Sequence, residues 1–533
     1  MTGSPRHRSI FTLVALSGLT LMAGLVGHPV QADPSQAEDQ FWTFGRVLAL
    51  VEDEYVGDID SDTLVDGAIS GMLARLDPHS NYLDEEAFAE MRDEQRGKFS
   101  GLGIQINKRG ADSPLTIVAP IDGTPASRAG LQSGDVISAI NGERTIELSV
   151  NGAVRLLKGP KGTSVTITID RPGDSESFDV TIERDDIPVE SIRVAHLLDN
   201  GVGIVRVSNF TSTTASELDE QIARLSEQGM DKLLLDLRGN PGGLLDQAVQ
   251  VSERFIPAGE LVVYTRGRIR GSSADYVAKR GVQRWEKPLV VLVDGSSASA
   301  SEIVSGAIQD HDRGLIVGEP TFGKGLVQRV VPLQQGGGAL AVTTAKYYTP
   351  LGRLIQRDYT DFEEYYLTRS DDESTPSEEE QIYKTVGGRE VYGGGGIRPD
   401  YTVEADTPPK LIYRLVRNNL LFDFSIRHAH ERDDLERGFT VDDQMVRSLT
   451  KFLREREFEY TEEEFAEAKK TISLRVEAQI GRLKWGAEEE SKILADNDPQ
   501  VQRALEVFNE AATLHADVQR LHEADKDLTA EAR

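Results

Sequence analysis

Strand-like and helix-like patterns alternate through the middle of the chain. The short, mainly apolar runs, typical of buried strands, are Val202–Val207, Lys232–Leu237 and Leu289–Val293. The segments that carry apolar residues at helical spacing are Ser216–Gln228, Leu244–Phe255 and Ser299–Asp310. This alternation predicts an α/β sheet with helices packed on it.

The segments on either side of this core have helical patterns. Asp39–Gly97 is predicted to be helical, with its second helix at Leu64–Leu76. The region after Asp406 is rich in Glu, Lys and Arg, and its predicted helices are Pro409–Phe424, Asp442–Arg456, Thr461–Leu483 and Pro499–His522. Inside the core, Asp358–Gln381 is acidic and lacks a clean period, so we expect an exposed insertion there.

The first 32 residues have the three parts of an export signal. Arg6-His-Arg8 is basic, Ile10–Val26 is apolar, and Val30-Gln-Ala32 is a small-residue cleavage site. The apolar part is only about 17 residues long and is interrupted by Ser and Gly, which is short for a stable membrane span. An uncleaved anchor in the inner membrane is the alternative. In either case we expect an exported, most simply periplasmic, protein.

Composition narrows the function further. A chain of 533 residues is long enough for several domains, and its formal charge of −29 argues against nucleic acid as a partner. The chain has no cysteine, which excludes a thiol nucleophile, a thiolate metal site and disulfides. We expect the histidines of the C-terminal region to be solvated rather than metal ligands; they are His428, His430, His515 and His522.

The clearest candidate chemistry follows the strand Leu289–Val293. The turn Asp294-Gly-Ser296 leads into a helix that opens on small hydroxyl residues around Ser299. Such a strand–turn–helix exposes a side-chain oxygen and aims unpaired helix N–H groups beside it, as in many serine nucleophiles. The alternative is an ordinary helix start capped by Ser297 or Ser299.

A second candidate is the segment Gly318–Gln328. It is not a phosphate-binding loop, because Gly325 stands where the magnesium-binding Ser or Thr belongs and a strand pattern follows. On a strand, Lys324 and Gln328 share one face. A lysine can accept a proton from serine only when neutral, so it must be desolvated, and Gln328 could orient its amine. The alternative is a solvated lysine on an edge strand.

Three motifs, in their order along the chain, resemble those of the C-terminal processing peptidases, which are serine peptidases with a Ser-Lys dyad and a PDZ domain. The motifs are Asp236-Leu-Arg-Gly-Asn-Pro-Gly-Gly243, Ser297-Ala-Ser-Ala-Ser-Glu302 and Gly318–Gln328, and the resemblance covers residues 40–405. It implies Ser299 as nucleophile, Lys324 as base and Gln328 as its support. It also implies an oxyanion hole from the N–H of Ala300 and that of Gly242 or Gly243, with no metal or cofactor.

The segment Phe99–Asp186 resembles a PDZ domain. The resemblance implies a loop that binds a terminal carboxylate, formed by Ser100, Gly101, Leu102, Gly103 and Ile104. It also implies that Ser149–Lys158 is the groove helix. Relatives commonly have an arginine where this chain has Lys158. The segment Asp77–Tyr82 also matches the family, and His79 within it is expected to be structural because the family's base is the lysine.

The sequence therefore predicts a multidomain protein of α+β and α/β class. Its parts are a signal peptide (1–32), an N-terminal helical region (39–97), a β-rich PDZ domain (98–186), an α/β, crotonase-like peptidase core (187–405) and a helical C-terminal extension (406–533). The expected function is that of an exported serine endopeptidase that selects proteins by their free C-terminal tails. An adaptor protein and a homo-oligomer formed through the C-terminal helices remain open. The alternative is a non-catalytic scaffold of the same fold.

Overall fold

The computed structural model describes residues 34–108, 113–333, 337–360, 365, 381–432 and 434–531. The predicted signal and most of the predicted insertion lie outside these residues. The described residues up to Arg75 form one compact unit, and those from Leu76 form a second. The predicted N-terminal region, 39–97, therefore spans the boundary between the two units.

The first unit is helical, as predicted. It contains helices α1 (Pro34–Glu54) and α2 (Ser61–Leu73). Asp60 begins α2 because its side chain accepts a hydrogen bond from the Thr63 N–H at 3.2 Å.

The second unit begins with a strand where a helix was predicted. Strand β1 (Asn81–Leu83) pairs antiparallel with a later strand, β18 (Ala339–Tyr348), and helix α3 (Glu85–Gln95) follows it. The helical prediction for 39–97 is therefore wrong at β1, because pairing with a distant strand overrides the local pattern there. It is correct at α3, whose first turn is capped by Asp84.

The next region is a small β-rich domain. Its strands are β2 (Lys98–Gly101), β3 (Ile104–Lys108), β4 (Leu115–Pro120), β5 (Val136–Ile140), β6 (Glu143–Arg144), β7 (Ser164–Asp170), β8 (Phe178–Glu183) and β9 (Asp185–Pro188). Its helices are α4 (Pro125–Arg128) and α5 (Val150–Leu157). The main sheet has the order β3-β4-β5-β7-β8, so β3 is an edge strand, and β2 pairs with β9. Helix α5, capped by Ser149, matches the predicted groove helix.

The core is built on a six-stranded sheet. Its strands, in spatial order, are β10 (Val194–Leu197), β11 (Val202–Arg206), β12 (Lys232–Asp236), β15 (Leu289–Val293), β16 (Leu315–Gly318) and β21 (Tyr401–Thr402). All neighbours are parallel except β10 and β11. The helices of this region are α6 (Thr214–Glu227), α7 (Leu245–Glu253) and α8 (Ala300–Asp310). The predicted α/β core is confirmed.

A second sheet joins strands of the core region to β1. It consists of β1, β18, β13 (Leu261–Gly267), β14 (Ala274–Val277) and β17 (Leu326–Pro332), and β19 (Ile382–Lys384) and β20 (Glu390–Tyr392) form a separate hairpin. The strand β17 carries Gln328 and pairs antiparallel with β18.

The C-terminal extension is helical, as predicted. Its helices are α9 (Lys410–Arg417), α10 (Leu420–Glu431), α11 (Asp443–Glu455), α12 (Glu462–Trp485), α13 (Ala487–Ala495), α14 (Pro499–Glu506) and α15 (Phe508–Glu531). The predicted helix at Pro409–Phe424 is divided at Asn419, which has φ 55°. Helices α9 to α12 share their own apolar core. Among the described residues, no helix is long and apolar enough to cross a membrane.

The two ends of this extension pack differently. Helices α14 and α15 place Val501, Ala504 and Phe508 against Leu234 and Val290 of the central sheet. The alternate residues of the same strands, such as Leu233 and Val291, pack with the helices α6 to α8. The C-terminal helices therefore form the second layer over the core sheet.

The expectation that the C-terminal histidines are solvated is wrong for two of them. His428 stacks on Phe424 with 5.4 Å between ring centroids, and burial lowers its pKa. The side chain of His515 is only 14% exposed, and burial lowers its pKa to about 4. His522 is half-buried, and the side chain of His430 lies outside the described residues. No group of residues suited to hold a metal occurs in the described parts of the chain.

Candidate active site

Ser299 lies at a sharp turn between β15 and α8. Its φ of 54° and ψ of −107° are unusual for a residue with a side chain, and such strain is typical of a nucleophile elbow. The turn is fixed by its neighbours: the Ala298 N–H donates to the Asn240 carbonyl at 3.0 Å, and Ser297 Oγ donates to the Leu237 carbonyl at 2.9 Å. Ser297 is thus a structural residue of the turn.

Lys324 lies just before β17 and is half-buried. Its Nζ donates to Gln328 Oε1 at 3.1 Å. Burial lowers the pKa of Lys324, while the carboxylates of Glu302 and Asp77 act in the opposite direction. The structure thus brings Lys324 and Gln328 together in an environment that favours the neutral amine.

Glu302 connects the serine and lysine segments, and sequence reasoning assigned it no role. Its carboxylate accepts hydrogen bonds from the backbone N–H groups of Ser299 (2.7 Å), Gly323 (2.6 Å) and Lys324 (3.0 Å) and from Thr321 Oγ1 (2.6 Å). The side chain is fully buried, and burial raises its pKa against the effect of these bonds. A signal was present in the sequence, because Glu302 stands three residues after Ser299, at the capping-box position.

Tyr347 joins the same two segments. Its buried hydroxyl lies within hydrogen-bond distance of the Ser299 carbonyl (3.1 Å) and of the Lys324 carbonyl. Among the described residues, no hydrogen bond joins Ser299 Oγ directly to Lys324 Nζ. The two segments are therefore held side by side through Glu302 and Tyr347.

The loop between β12 and α7 packs against Ser299. A Cβ built on Gly242 would lie 2.9 Å from Ser299 Cβ and 3.0 Å from the Ala300 nitrogen. The Gly242 N–H donates to Asn240 Oδ1 at 2.9 Å, whereas the Gly243 N–H bonds to no described residue. The Ala300 N–H is the first of α8 and has no partner within the helix. Gly243 and Ala300 thus have N–H groups that bond to no described residue, in the segments that meet at Ser299.

The segment at His79 lies beside the lysine rather than apart from the core. Asp77 accepts bonds from the His79 N–H (2.9 Å) and from Thr343 Oγ1 on β18 (3.1 Å). His79 Nε2 is 2.6 Å from Tyr365 Oη. Burial lowers the pKa of His79 to about 4, and the charge of Lys324 acts in the same direction. His79 is therefore neutral at ordinary pH.

The predicted carboxylate-binding loop lies next to an open pocket. Ser100 lines this pocket of about 780 Å³, with Phe99, Val154 and Lys158 also in its lining and residues of α3 along one side. Lys158 Nζ pairs with Glu90 of α3 at 3.2 Å. Of the other loop residues, Leu102 is buried in the core of the domain, Gly103 has φ 79°, Gly101 ends β2 and Ile104 begins β3.

Comparison with known proteins assigns the class. Residues 201–362 match peptidase family S41, and residues 116–171 match the PDZ domain. Residues 27–87 match the N-terminal domain of the activating protease CtpB, and residues 411–486 match a family of unknown function. The fold and these matches define a peptidase with an attached PDZ domain.

Two curated relatives support this class. A carboxy-terminal-processing protease of Bartonella bacilliformis is 44% identical over 60% of this chain and 73% of its own length. The carboxy-terminal processing protease CtpA of Bacillus subtilis is 35% identical over 65% of this chain and 74% of its own length. A solved photosystem II D1 C-terminal processing protease is 29% identical, covers 67% of this chain and 85% of its own, and has a TM-score of 0.34. The chain belongs to the family of carboxy-terminal processing peptidases.

Proposed function

We propose that this peptidase is an exported serine endopeptidase that recognises C-terminal tails through its PDZ domain and cleaves with a Ser299–Lys324 dyad. The observation that carries the proposal is the setting of Lys324. Its amine bonds to Gln328 Oε1, burial lowers its pKa, and its backbone is tied through Glu302 to that of Ser299.

The dyad acts by general base and nucleophilic catalysis. Neutral Lys324 takes the proton from Ser299 Oγ as this oxygen attacks the scissile carbonyl, and the resulting ammonium gives the proton to the leaving amine. Lys324 then deprotonates the water that releases the acyl-enzyme. Gln328 orients the amine without adding charge, because its amide oxygen accepts the bond from Nζ. Closing the dyad requires Ser299 Oγ and Lys324 Nζ to come within hydrogen-bond distance.

The oxyanion is stabilised by two backbone donors. Ala300 supplies one, from the N-terminus of α8. Of the two glycines implied by the family, Gly243 is the better candidate for the second, because the N–H of Gly242 is already bonded to Asn240.

The tail is captured at the edge of the PDZ sheet. Among the described strands, β3 is the outermost of this sheet, and a substrate tail can extend the sheet there. The loop Ser100–Ile104 and the nearby Lys158 supply donors for its terminal carboxylate. We also propose the periplasm as location; an adaptor protein and self-association through the C-terminal helices are secondary proposals.

The test is a mass-spectrometric time course with an unfolded reporter that ends in an apolar tail. Fragments are expected from the wild type and not from Ser299→Ala or Lys324→Ala, and amidation of the reporter's C-terminus should slow cleavage. Cleavage by Ser299→Ala would refute the dyad. A wild type that binds the reporter without cleaving it, under every condition tried, would support the scaffold alternative.

A further inference from the structure

We propose that Asp498 and Gln500, in the C-terminal extension, are positioning residues for the oxyanion loop, Arg238–Gly243. The inference rests on the proposed function, because it takes the Gly243 N–H as an oxyanion donor. It assigns to α14 a part in catalysis beyond covering the sheet.

Arg238 is the point of contact between the loop and α14. Its Nε and Nη2 donate to the two carboxylate oxygens of Asp236, each at 2.9 Å. Its Nη1 donates to Asp498 Oδ2 at 2.7 Å and to Gln500 Oε1 at 2.8 Å. The guanidinium is therefore held on one side by the end of β12 and on the other by the start of α14.

The cluster is largely shielded from solvent, with the Asp498 side chain the most exposed at 25%, so its charges depend on one another. The side chains of Arg238 and Asp236 are 16% and 5% exposed. Burial acts to lower the pKa of Arg238, but the carboxylates of Asp236 and Asp498 outweigh it and the pKa is raised. Burial acts to raise the pKa of Asp236, and Arg238 outweighs it so that the pKa is lowered. Asp498 thus supplies part of the charge that balances a buried guanidinium.

Helix α14 presents its two side chains from a fixed position. Asp498 caps the helix by accepting from the N–H groups of Gln500 (2.9 Å) and Val501 (3.2 Å). Gln500 Nε2 donates to the Val403 carbonyl at 2.7 Å, and the side chain of Val501 is buried against the sheet. Because both acceptors are anchored, they fix where Arg238 can lie.

The loop connects Arg238 to the turn that carries Ser299. After Arg238, the Gly239 N–H donates to the Asp294 carboxylate at 3.0 Å. The Asn240 carbonyl accepts from the Ala298 N–H and from Ser301 Oγ, both at 3.0 Å. The chain then turns at Gly242 against Ser299. A shift of Arg238 would therefore move the N–H of Gly243 relative to the serine.

The test replaces the carboxylate while keeping the helix cap. In Asp498→Ser the hydroxyl can still cap α14, but the charge and the reach to Arg238 are lost. The matched control is Asp442→Ser, at the cap of α11, where Asp442 accepts from the Met445 N–H at 2.7 Å. Both are measured for kcat and KM on the reporter, for melting temperature, and for affinity toward a peptide aldehyde that ends at the mapped cleavage site.

We expect Asp498→Ser to lose about ten-fold to a hundred-fold in kcat with KM unchanged, because a small displacement of an oxyanion donor affects the transition state most. Aldehyde affinity should fall by the same factor, and Asp442→Ser should keep wild-type kcat. Unchanged kcat in Asp498→Ser, or a loss confined to KM, overturns the inference. If Asp498→Ser does not fold, Gln500→Leu provides the test, because it removes a bond to Arg238 and leaves the Asp498 cap of α14 in place. Unchanged kcat in this folded variant overturns the inference. An inactive wild type refutes the proposed function and this inference with it.

Discussion

Glu302 accepts four hydrogen bonds from two separate segments, and its replacement by glutamine perturbs the site with almost no change in volume. The partners of the Glu302 carboxylate are all hydrogen-bond donors: three backbone N–H groups and the hydroxyl of Thr321. A glutamine has one acceptor oxygen, and its NH2 must face the remaining donors. If the oxygen stays with the N–H groups of Ser299 and Lys324, the N–H of Gly323 loses its acceptor.

The loss can be estimated from that one group. A buried donor left without an acceptor costs about 1–3 kcal/mol, and the Thr321 hydroxyl can rotate to accept from the new NH2. We therefore expect Glu302→Gln to fold and to lose about 1–3 kcal/mol of unfolding free energy. The matched control is Glu464→Gln, at the same capping-box position of α12, where the side chain is 37% exposed, accepts from the Thr461 N–H at 2.9 Å and pairs with Arg414 at 3.1 Å. Its loss should stay below about 1 kcal/mol.

Activity should respond in two ways. Misplacement of Ser299 and Lys324 should lower the maximal kcat by about ten-fold to a hundred-fold. The Glu302 carboxylate also raises the pKa of Lys324 against the larger effect of burial. In the proposed mechanism activity needs the neutral amine, so it should rise with pH as Lys324 loses its proton. Removing the carboxylate should move this rising limb of the kcat profile to lower pH.

The assay is a pH profile of reporter cleavage with urea unfolding of the same preparations. A variant with wild-type kcat would refute the role of Glu302 in aligning the dyad. An unmoved rising limb would refute the claim that an ionised Glu302 lies close enough to set the pKa of the base. Equal loss of stability in Glu302→Gln and Glu464→Gln would show that burial of the first carboxylate contributes nothing specific.

Three further outcomes are expected. Lys324→Met should be inactive yet more stable than wild type at neutral pH. Burial lowers the pKa of Lys324, so the unfolded wild-type chain binds more protons than the folded one, which costs stability. The difference in urea midpoints should shrink as the pH approaches 10.5, the ordinary pKa of a lysine. Gly242→Ala should fold but lose most of its kcat, since φ is 105° and the new Cβ would lie 2.9 Å from Ser299 Cβ; wild-type kcat would contradict the close packing of the loop. Glu90→Gln should change the unfolding free energy by less than about 1 kcal/mol, because Glu90 and Lys158 are both exposed. If Lys158 binds the tail carboxylate, the same substitution should lower KM for the reporter and leave KM for an amidated reporter unchanged.

The local pattern of apolar and polar residues was sufficient to predict the core of this fold. The run Leu289–Val293 is a strand buried on both faces, as its continuous apolar character predicts, and the helix after Ser299 begins within one residue of the prediction. The capping box at Thr461 likewise marks the start of α12. These features depend on neighbouring residues alone, which is why the sequence reveals them.

Features that depend on distant contacts were not predictable in this way. The strand β1 exists because it pairs with β18, more than 250 residues later, and nothing in its three residues distinguishes it from the adjoining helices. Glu302 reads as a helix cap, yet its bonds to Gly323 and Lys324 come from a segment about twenty residues away. The N–H of Gly242 donates to the side chain of Asn240, a bond that the spacing of the motif cannot show.

The packing of α14 and α15 changes what the C-terminal extension means for the enzyme. Residues on each core strand alternate between two apolar clusters, and the second cluster is closed by Val501, Ala504 and Phe508. A chain that ended near residue 405 would leave this face of the sheet, with Leu234 and Val290, open to water. Loss of activity on truncation would therefore follow from loss of the core alone, whereas single substitutions at the start of α14 test its bonds to Arg238. The same helix both covers the sheet and bonds to Arg238, so, under the proposed function, stability of the core and alignment of the oxyanion loop depend on one element.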